Sequence, residues 1–318
     1  MADIPGVANQ AEHTHISTAL EVEKLEVNLF RSKTLWVPNR ARGVFGGQVI
    51  SQAIVSATNC VDKAYGLHSL QCYFLLSGSP AVPITYYVER LREGRSYTTR
   101  LVKAVQNGKL IFVLMCSFQK PEPYQPSHAW PLPSNVPNPE ECELQETIYT
   151  REAMKEGVDE RLKNIYKTII EERMKSPIAW KPAKLHDVGP DGTITYMYWM
   201  SARNLGTEYG VPFQKCVVAY LSDLNFIGVG VRTLGLKRYG RGPGSVGMTS
   251  SLDHSIYFYD DNFDCGDWLL YVVTSPRSGS GRGVVQGRLY TRGGSLIAIM
   301  SQEGVMRADI RAPTEVKL

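Results

Sequence analysis

Strand-like runs of apolar residues, separated by turn signals, fill two stretches of this chain. In the first they fall near residues 65–76, 82–92, 95–106 and 109–119, and Asn107-Gly108 supplies a tight hairpin turn between the last two. In the second they fall near 250–259, 267–274, 283–291 and 295–306, with Gly293-Gly294 at the equivalent turn. A helix precedes each set. The stretches "FGGQVISQAIVSATN" (45–59) and "CVVAYLSDLNFIGVGV" (216–231) are apolar on nearly every side, so each predicts a helix enclosed by other elements. Alternating stretches at 18–27 and 192–202 come before the two helices and add a strand to each set.

One strand, one helix and four antiparallel strands make an α+β unit in which a curved sheet wraps a central helix. The pattern therefore predicts a tandem (double) hotdog fold. Similarity between the halves points the same way. "NGKLIFVLMCSF" (107–118) aligns with "GGSLIAIMSQEG" (293–304), and the same offset carries "LHSLQCYF" (67–74) onto "DHSIYFYD" (253–260), placing His68 on His254 and Ser69 on Ser255. An internal duplication accounts for both matches.

Seven prolines fall within residues 119–141, which rules out a central strand or a continuous helix there. Polar helix follows over 140–175, with Ile165, Ile169 and Ile170 as a short apolar stripe. The expected layout is a tail (1–16), an N-terminal hotdog (17–120), a Pro-rich and helical linker (121–190), a C-terminal hotdog carrying the chemistry (191–310) and a tail (311–318).

Composition narrows the function classes. The 318 residues carry a formal net charge of +4 and no basic run, so no nucleic-acid partner is expected. The 17 tyrosines favour sheet. Cys60, Cys72, Cys116, Cys142, Cys216 and Cys265 fit neither a zinc ribbon nor a disulfide frame and read as buried thiols of an intracellular protein. The N-terminus lacks the charge and apolar pattern of a signal peptide, and no stretch is long and apolar enough to span a membrane.

Ordinary hydrolase machinery is missing. There is no G-x-S-x-G, and 242–247 matches G-x-G-x-x-G without βαβ context, so it reads as a loop. The six histidines are scattered, and neither metal nor cofactor is expected. What stands out is polar groups in apolar settings. Asp223 interrupts an otherwise buried helix, as a cap, a satisfied core acid or a functional one. Gln302 shares the face of Ala298 and Met300, and its amide needs partners whether its role is structural or functional. Gly46-Gly47 serves close packing, an anion site at a helix start, or both. His254 shares a face with Leu252, Ile256 and Phe258, which fits a hydrogen-bonded core residue better than a base. Strict alternation places Ser251 on the opposite face, so no Ser–His couple is expected.

The ordered set "GVFGGQVISQA", "LHSLQCYFLLSG", "YLSDLNFIGV", "SLDHSIYF", "WLLY" and "RGVVQGRLYTRGGSLIAIMSQEGVMR" resembles the acyl-CoA thioesterase II family of double-hotdog enzymes, from about residue 20 to 309. That resemblance implies an acyl-CoA substrate and a catalytic Asp, Ser and Gln from the second hotdog that hold the hydrolytic water. By motif these fall on Asp223, Ser251 and Gln302. Two departures, Phe30-Arg31-Ser32 for the family's "FRG" and a longer loop before "VFGGQ", bear on acyl preference. The alternatives are a hotdog thioesterase or acyltransferase acting on an unusual acyl thioester in a biosynthetic pathway, and a non-catalytic acyl-thioester binder. The ending Val316-Lys317-Leu318 resembles the S-K-L peroxisomal address, which implies a peroxisomal location, with the cytoplasm as alternative. The expected partners are the acyl-CoA substrate, the peroxisomal import receptor and further copies of the chain in a homo-oligomer.

Overall fold

A computed structural model of the chain describes residues 14–310. The first half runs α1 (Ile16–Leu20), β1 (Val22–Glu26), β2 (Leu29–Ser32), α2 (Gly46–Thr58), β3 (Gly66–Phe74), β4 (Thr85–Glu93), β5 (Tyr97–Gln106) and β6 (Lys109–Gln119). A connecting stretch carries α3 (Gln145–Ala153) and α4 (Glu160–Lys175). The second half runs β7 (Ile178–Val188), β8 (Ile194–Ala202), α5 (Val211–Ser222), α6 (Phe226–Thr233), β9 (Val246–Ser251) and β10 (Asp253–Phe258). It closes with β11 (Leu269–Gly279), β12 (Arg282–Thr291) and β13 (Leu296–Ala308).

All strands join one antiparallel 13-stranded sheet, in the order β1-β2-β4-β5-β6-β3-β10-β13-β12-β11-β8-β7 with β9 beside β13. The order mirrors itself about the β3–β10 seam, where His254 lies opposite Cys72. Each half thus wraps its own helix, and the fold is a tandem hotdog. Joining the halves at this seam covers two edges that would otherwise be open to pairing.

α2 and α5 pack against each other inside the curve. Ile50, Ala53, Ile54 and Ala57 of one, and Val217, Val218, Ala219 and Leu221 of the other, are fully buried. Small residues let the helices approach: a Cβ on Gly47 would lie 2.7 Å from the Tyr220 carbonyl. Ser51 Oγ donates to the Cys216 carbonyl at 2.8 Å. Lys215 stays buried by donating to the Leu67 carbonyl (2.7 Å) and pairing with Asp261 (2.5 Å). It ties the second helix to the first half's sheet. All six cysteines are free and buried. No helix among the described residues is long and apolar enough to cross a membrane.

Four elements differ from the sequence reading. Residues 16–20 form α1, because Ile16, Ala19 and Leu20 recur at helical spacing and bury together. The strand equivalent to β8 is therefore β2, and β1 forms a hairpin with it through Asn28 at φ 62°. Residues 178–188, read as linker, form the sheet-edge strand β7, where Pro182 is tolerated beside bulges. The predicted helix 216–231 begins earlier, with Pro212 in its first turn, and breaks into α5 and α6. The run 250–259 is two strands, β9 and β10.

Candidate active site

The break between α5 and α6 creates the site. Asp223 caps the end of α5, and Asn225, at φ 58°, turns the chain into α6. Asn is among the few side chains that visit this left-handed region readily. Asp223 leaves the helix with its carboxylate against the start of α2. A Cβ on Gly46 would lie 2.7 Å from Asp223 Oδ2 and 2.9 Å from the Phe74 ring, so that position needs glycine. Gln302, fully buried on β13, donates from Nε2 to Asp223 Oδ1 at 2.7 Å. Burial pushes the Asp223 carboxyl up to about 6, against hydrogen bonding from Gln302 and from the Gly47 N–H, which favours the charged form. The packing reading of Gly46-Gly47 holds, and at this helix start the Gly47 N–H hydrogen-bonds the protein's own Asp223 carboxylate.

Ser251 reaches the same face by an irregularity. It pairs with Gly304, whereas Ser255 pairs with Ser301. Leu252 and Asp253 therefore stand together opposite Glu303: Leu252 N–H donates to the Glu303 carbonyl (2.9 Å), and Glu303 N–H to Asp253 Oδ1 (2.7 Å). This is a β-bulge, and the extra residue shifts the side-chain alternation by one. Directly paired antiparallel residues share a face, so Ser251 lies with Gly304 and Gln302. That face looks inward, since a Cβ on Gly304 would meet Ile227 of α6 at 2.5 Å. The expectation that Ser251 and His254 occupy opposite faces is thus wrong, because strict alternation fails across the bulge. The fold brings Asp223 and Gln302 into contact. It sets Ser251 two residues further along β13, opposite Gly304, with no hydrogen bond to either.

His254 is fully buried against Phe226. Its Nε2 lies 3.0 Å from Ser222 Oγ, and that hydroxyl donates to the Ala219 carbonyl (3.0 Å), which assigns the ring proton to Nε2. Burial drives its pKa down to about 3, so the ring is neutral. It holds the residue before Asp223. Tyr271 Oη does the same from the other side, donating to the Ser222 carbonyl at 3.0 Å. Sequence reasoning missed Ser222 and Tyr271. A faint signal existed for Tyr271, because Gly287 opens space for its ring. Also missed were Gln48 and Gln52 of α2, both buried, whose amides hold the Ala19 and Thr34 carbonyls and so fix the loop leading to Gly46. Finally, Gln302 Oε1 is buried without a protein partner. A buried amide oxygen of this kind has a place for one more donor.

Comparison with known proteins agrees with this architecture. Residues 34–119 match the acyl-CoA thioesterase N-terminal domain, and residues 139–306 match the acyl-CoA thioesterase C-terminal domain. The chain is 35% identical to acyl-coenzyme A thioesterase 8 of Mus musculus over 316 residues, 96% of this chain and 93% of that protein. The crystal structure of acyl-CoA thioesterase II TesB2 from Mycobacterium marinum superposes with a TM-score of 0.73 at 30% identity, over 94% of this chain and 99% of that one. The chain belongs to the acyl-CoA thioesterase II family. A more distant relative, 26% identical over 96% of this chain and 99% of its own length, is peroxisomal acyl-coenzyme A thioester hydrolase 1 of Saccharomyces cerevisiae. Acyl-CoA hydrolysis is therefore the reaction that the site of this thioesterase has to perform.

Proposed function

We propose that this thioesterase hydrolyses fatty acyl-CoA to free fatty acid and CoA through one water held by Asp223, Gln302 and Ser251. The observation that carries the reading is the Gln302 amide. Its Nε2 orients the Asp223 carboxylate while its buried Oε1 is left to accept from a water. Asp223 takes a proton from that water as the oxygen adds to the thioester carbonyl. In the first turn of α2 the Gly47 N–H already serves Asp223 and the Gln48 and Val49 N–H groups donate to the Phe45 carbonyl, which leaves the Gly46 N–H as the donor at hand for the oxyanion. Collapse breaks the C–S bond, and the proton on Asp223 passes to the departing CoA sulfur. A carboxylate with its pKa raised towards neutrality suits both transfers. A direct attack by Ser251 is disfavoured because, among the described residues, its hydroxyl has no hydrogen bond to a base: His254 Nε2 contacts Ser222, not Ser251.

The test for Ser251 uses its neighbour. Ser251→Ala should lower kcat for thiol release from acyl-CoA roughly ten- to a hundredfold. Ser250→Ala, at an exposed position on the same strand, should stay near wild type. Equal activity of the two variants would remove Ser251 from the mechanism.

The same proposal places the enzyme in peroxisomes. Two supports are the resemblance of Val316-Lys317-Leu318 to S-K-L and the peroxisomal name of the yeast relative. The tripeptide lies outside the described residues. A fluorescent protein carrying residues 309–318 should become punctate and lose that pattern without Leu318, whereas diffuse fluorescence from the intact tail would exclude import by this signal.

A further inference from the structure

The longer loop before α2 lines a surface cavity of about 440 Å³, between residues 37–43 and residues 77–80. Its far end is tied into the active site. Val44 N–H donates to the Gly78 carbonyl and Phe45 N–H to the Trp36 carbonyl, both at 2.9 Å, and the next residue is Gly46 against Asp223. The second half reaches the same place from the α5–α6 break. Arg238 Nη1 donates to Asn225 Oδ1 at 2.8 Å, two residues from Asp223. Between the two lies Tyr239, with the guanidinium carbons of Arg40 and Arg238 each 5.7 Å from its ring centre.

Three features of this cluster call for an anion. Arg40, Arg42, Lys237, Arg238 and Arg241 are all exposed, and among the described residues none of the five has a carboxylate within ion-pair distance. The acid in contact with the loop, Glu172, already accepts from the Asn39 N–H (2.9 Å) and lies 3.6 Å from Arg173. Arg40 also holds φ at 69°, a costly conformation for a long side chain, which sets its guanidinium on the Tyr239 ring beside a second cation. Position adds a constraint. In acyl-CoA the pantetheine arm separates the thioester from the phosphates, so phosphate ligands belong at the mouth of the site and away from the carboxylate. Asp223 fits that separation, since no cation contributes to its raised pKa.

We propose that this cluster binds the phosphate end of the acyl-CoA substrate, with Arg40, Arg42 and Arg238 as ligands to the 3′-phosphate and pyrophosphate. The proposal rests on acyl-CoA being the substrate and not on which residues activate the water. Guanidinium–phosphate hydrogen bonds are charge-assisted and geometrically selective.

The experiment compares kcat/KM for an acyl-CoA with that for the same acyl-pantetheine, which lacks every phosphate. In the Arg40→Ala/Arg42→Ala double variant the ratio of the two should fall about tenfold or more, through KM for acyl-CoA; Arg238→Ala should shift it in the same direction. Lys63→Ala removes a cation beyond the far end of α2, about 20 Å from Gly46, and should leave the ratio alone. An unchanged ratio in the double variant, or an equal loss on both substrates, overturns the proposal. Asp223→Asn separates the two readings: active Asp223→Asn would refute the catalytic assignment, while the arginine variants would still decide this one.

Discussion

Asp223→Asn should lower kcat for acyl-CoA about a thousandfold while the protein stays folded. Asn has the same shape, and its side-chain oxygen can still accept from Gln302 Nε2, so the contact at 2.7 Å survives in kind. What disappears is the proton acceptor, and positioned acid–base groups contribute about 10²- to 10⁴-fold. Gln302→Ala should cost roughly a hundredfold by a different route, because the carboxylate and the water lose a shared guide. If the two act on one water, the double variant should be little worse than Asp223→Asn alone. Thiol release under single-turnover conditions, with circular dichroism as the folding control, measures both. Near-normal turnover in Asp223→Asn would dismiss the mechanism.

The raised pKa of Asp223 has consequences for activity and for stability, with opposite signs. Activity needs the ionised form, so kcat/KM should fall about tenfold per pH unit below about 6. His254 cannot mimic that limb, since its ring stays neutral down to about 3. Stability moves the other way. The unfolded chain ionises Asp223 near 3.8 and the folded chain at about 6, so between these values the folded state binds the extra proton. Stability is therefore lost as pH rises through that window, and above it the buried charge costs at most about 3 kcal/mol. Asp223→Asn should accordingly be more stable than wild type at about pH 8, by roughly 1–3 kcal/mol, with the gain vanishing below about pH 4. Urea denaturation at both pH values reads this directly. A variant no more stable at the higher pH would mean that Asp223 is better solvated than its surroundings imply. The combination of lost turnover and gained stability is expected of a group retained for function at a structural cost.

Much of the architecture was legible because it rests on local pattern. Both enclosed helices, the central strands and the equivalence of the halves follow from apolar periodicity and turn residues, which act within a few positions of one another. Asp223 and Gln302 were visible for a related reason: each is a polar group in a stretch otherwise fit for burial. Ser251 had no such mark and was named through the family resemblance alone. The partners of these groups were not legible. Asp223 lies against Gly46 and Gln302, which come from the other half of the chain and from the last strand. Burial by those distant elements raises its pKa, so no reading of neighbouring residues gives the value.

The face on which Ser251 sits was read wrongly for the same physical reason. Alternation within one strand is a local rule, but a bulge exists only relative to a partner strand, and here Glu303 of β13 defines it. The break after Asp223 likewise depends on Asn225 in a left-handed conformation, next to a carboxylate that α2 and β13 hold through Gly47 and Gln302. β7 joins the sheet because β8 offers it an edge, despite a proline that argues for a loop. Local propensity decided which elements form. Pairing register and burial between the halves decided which side chains meet.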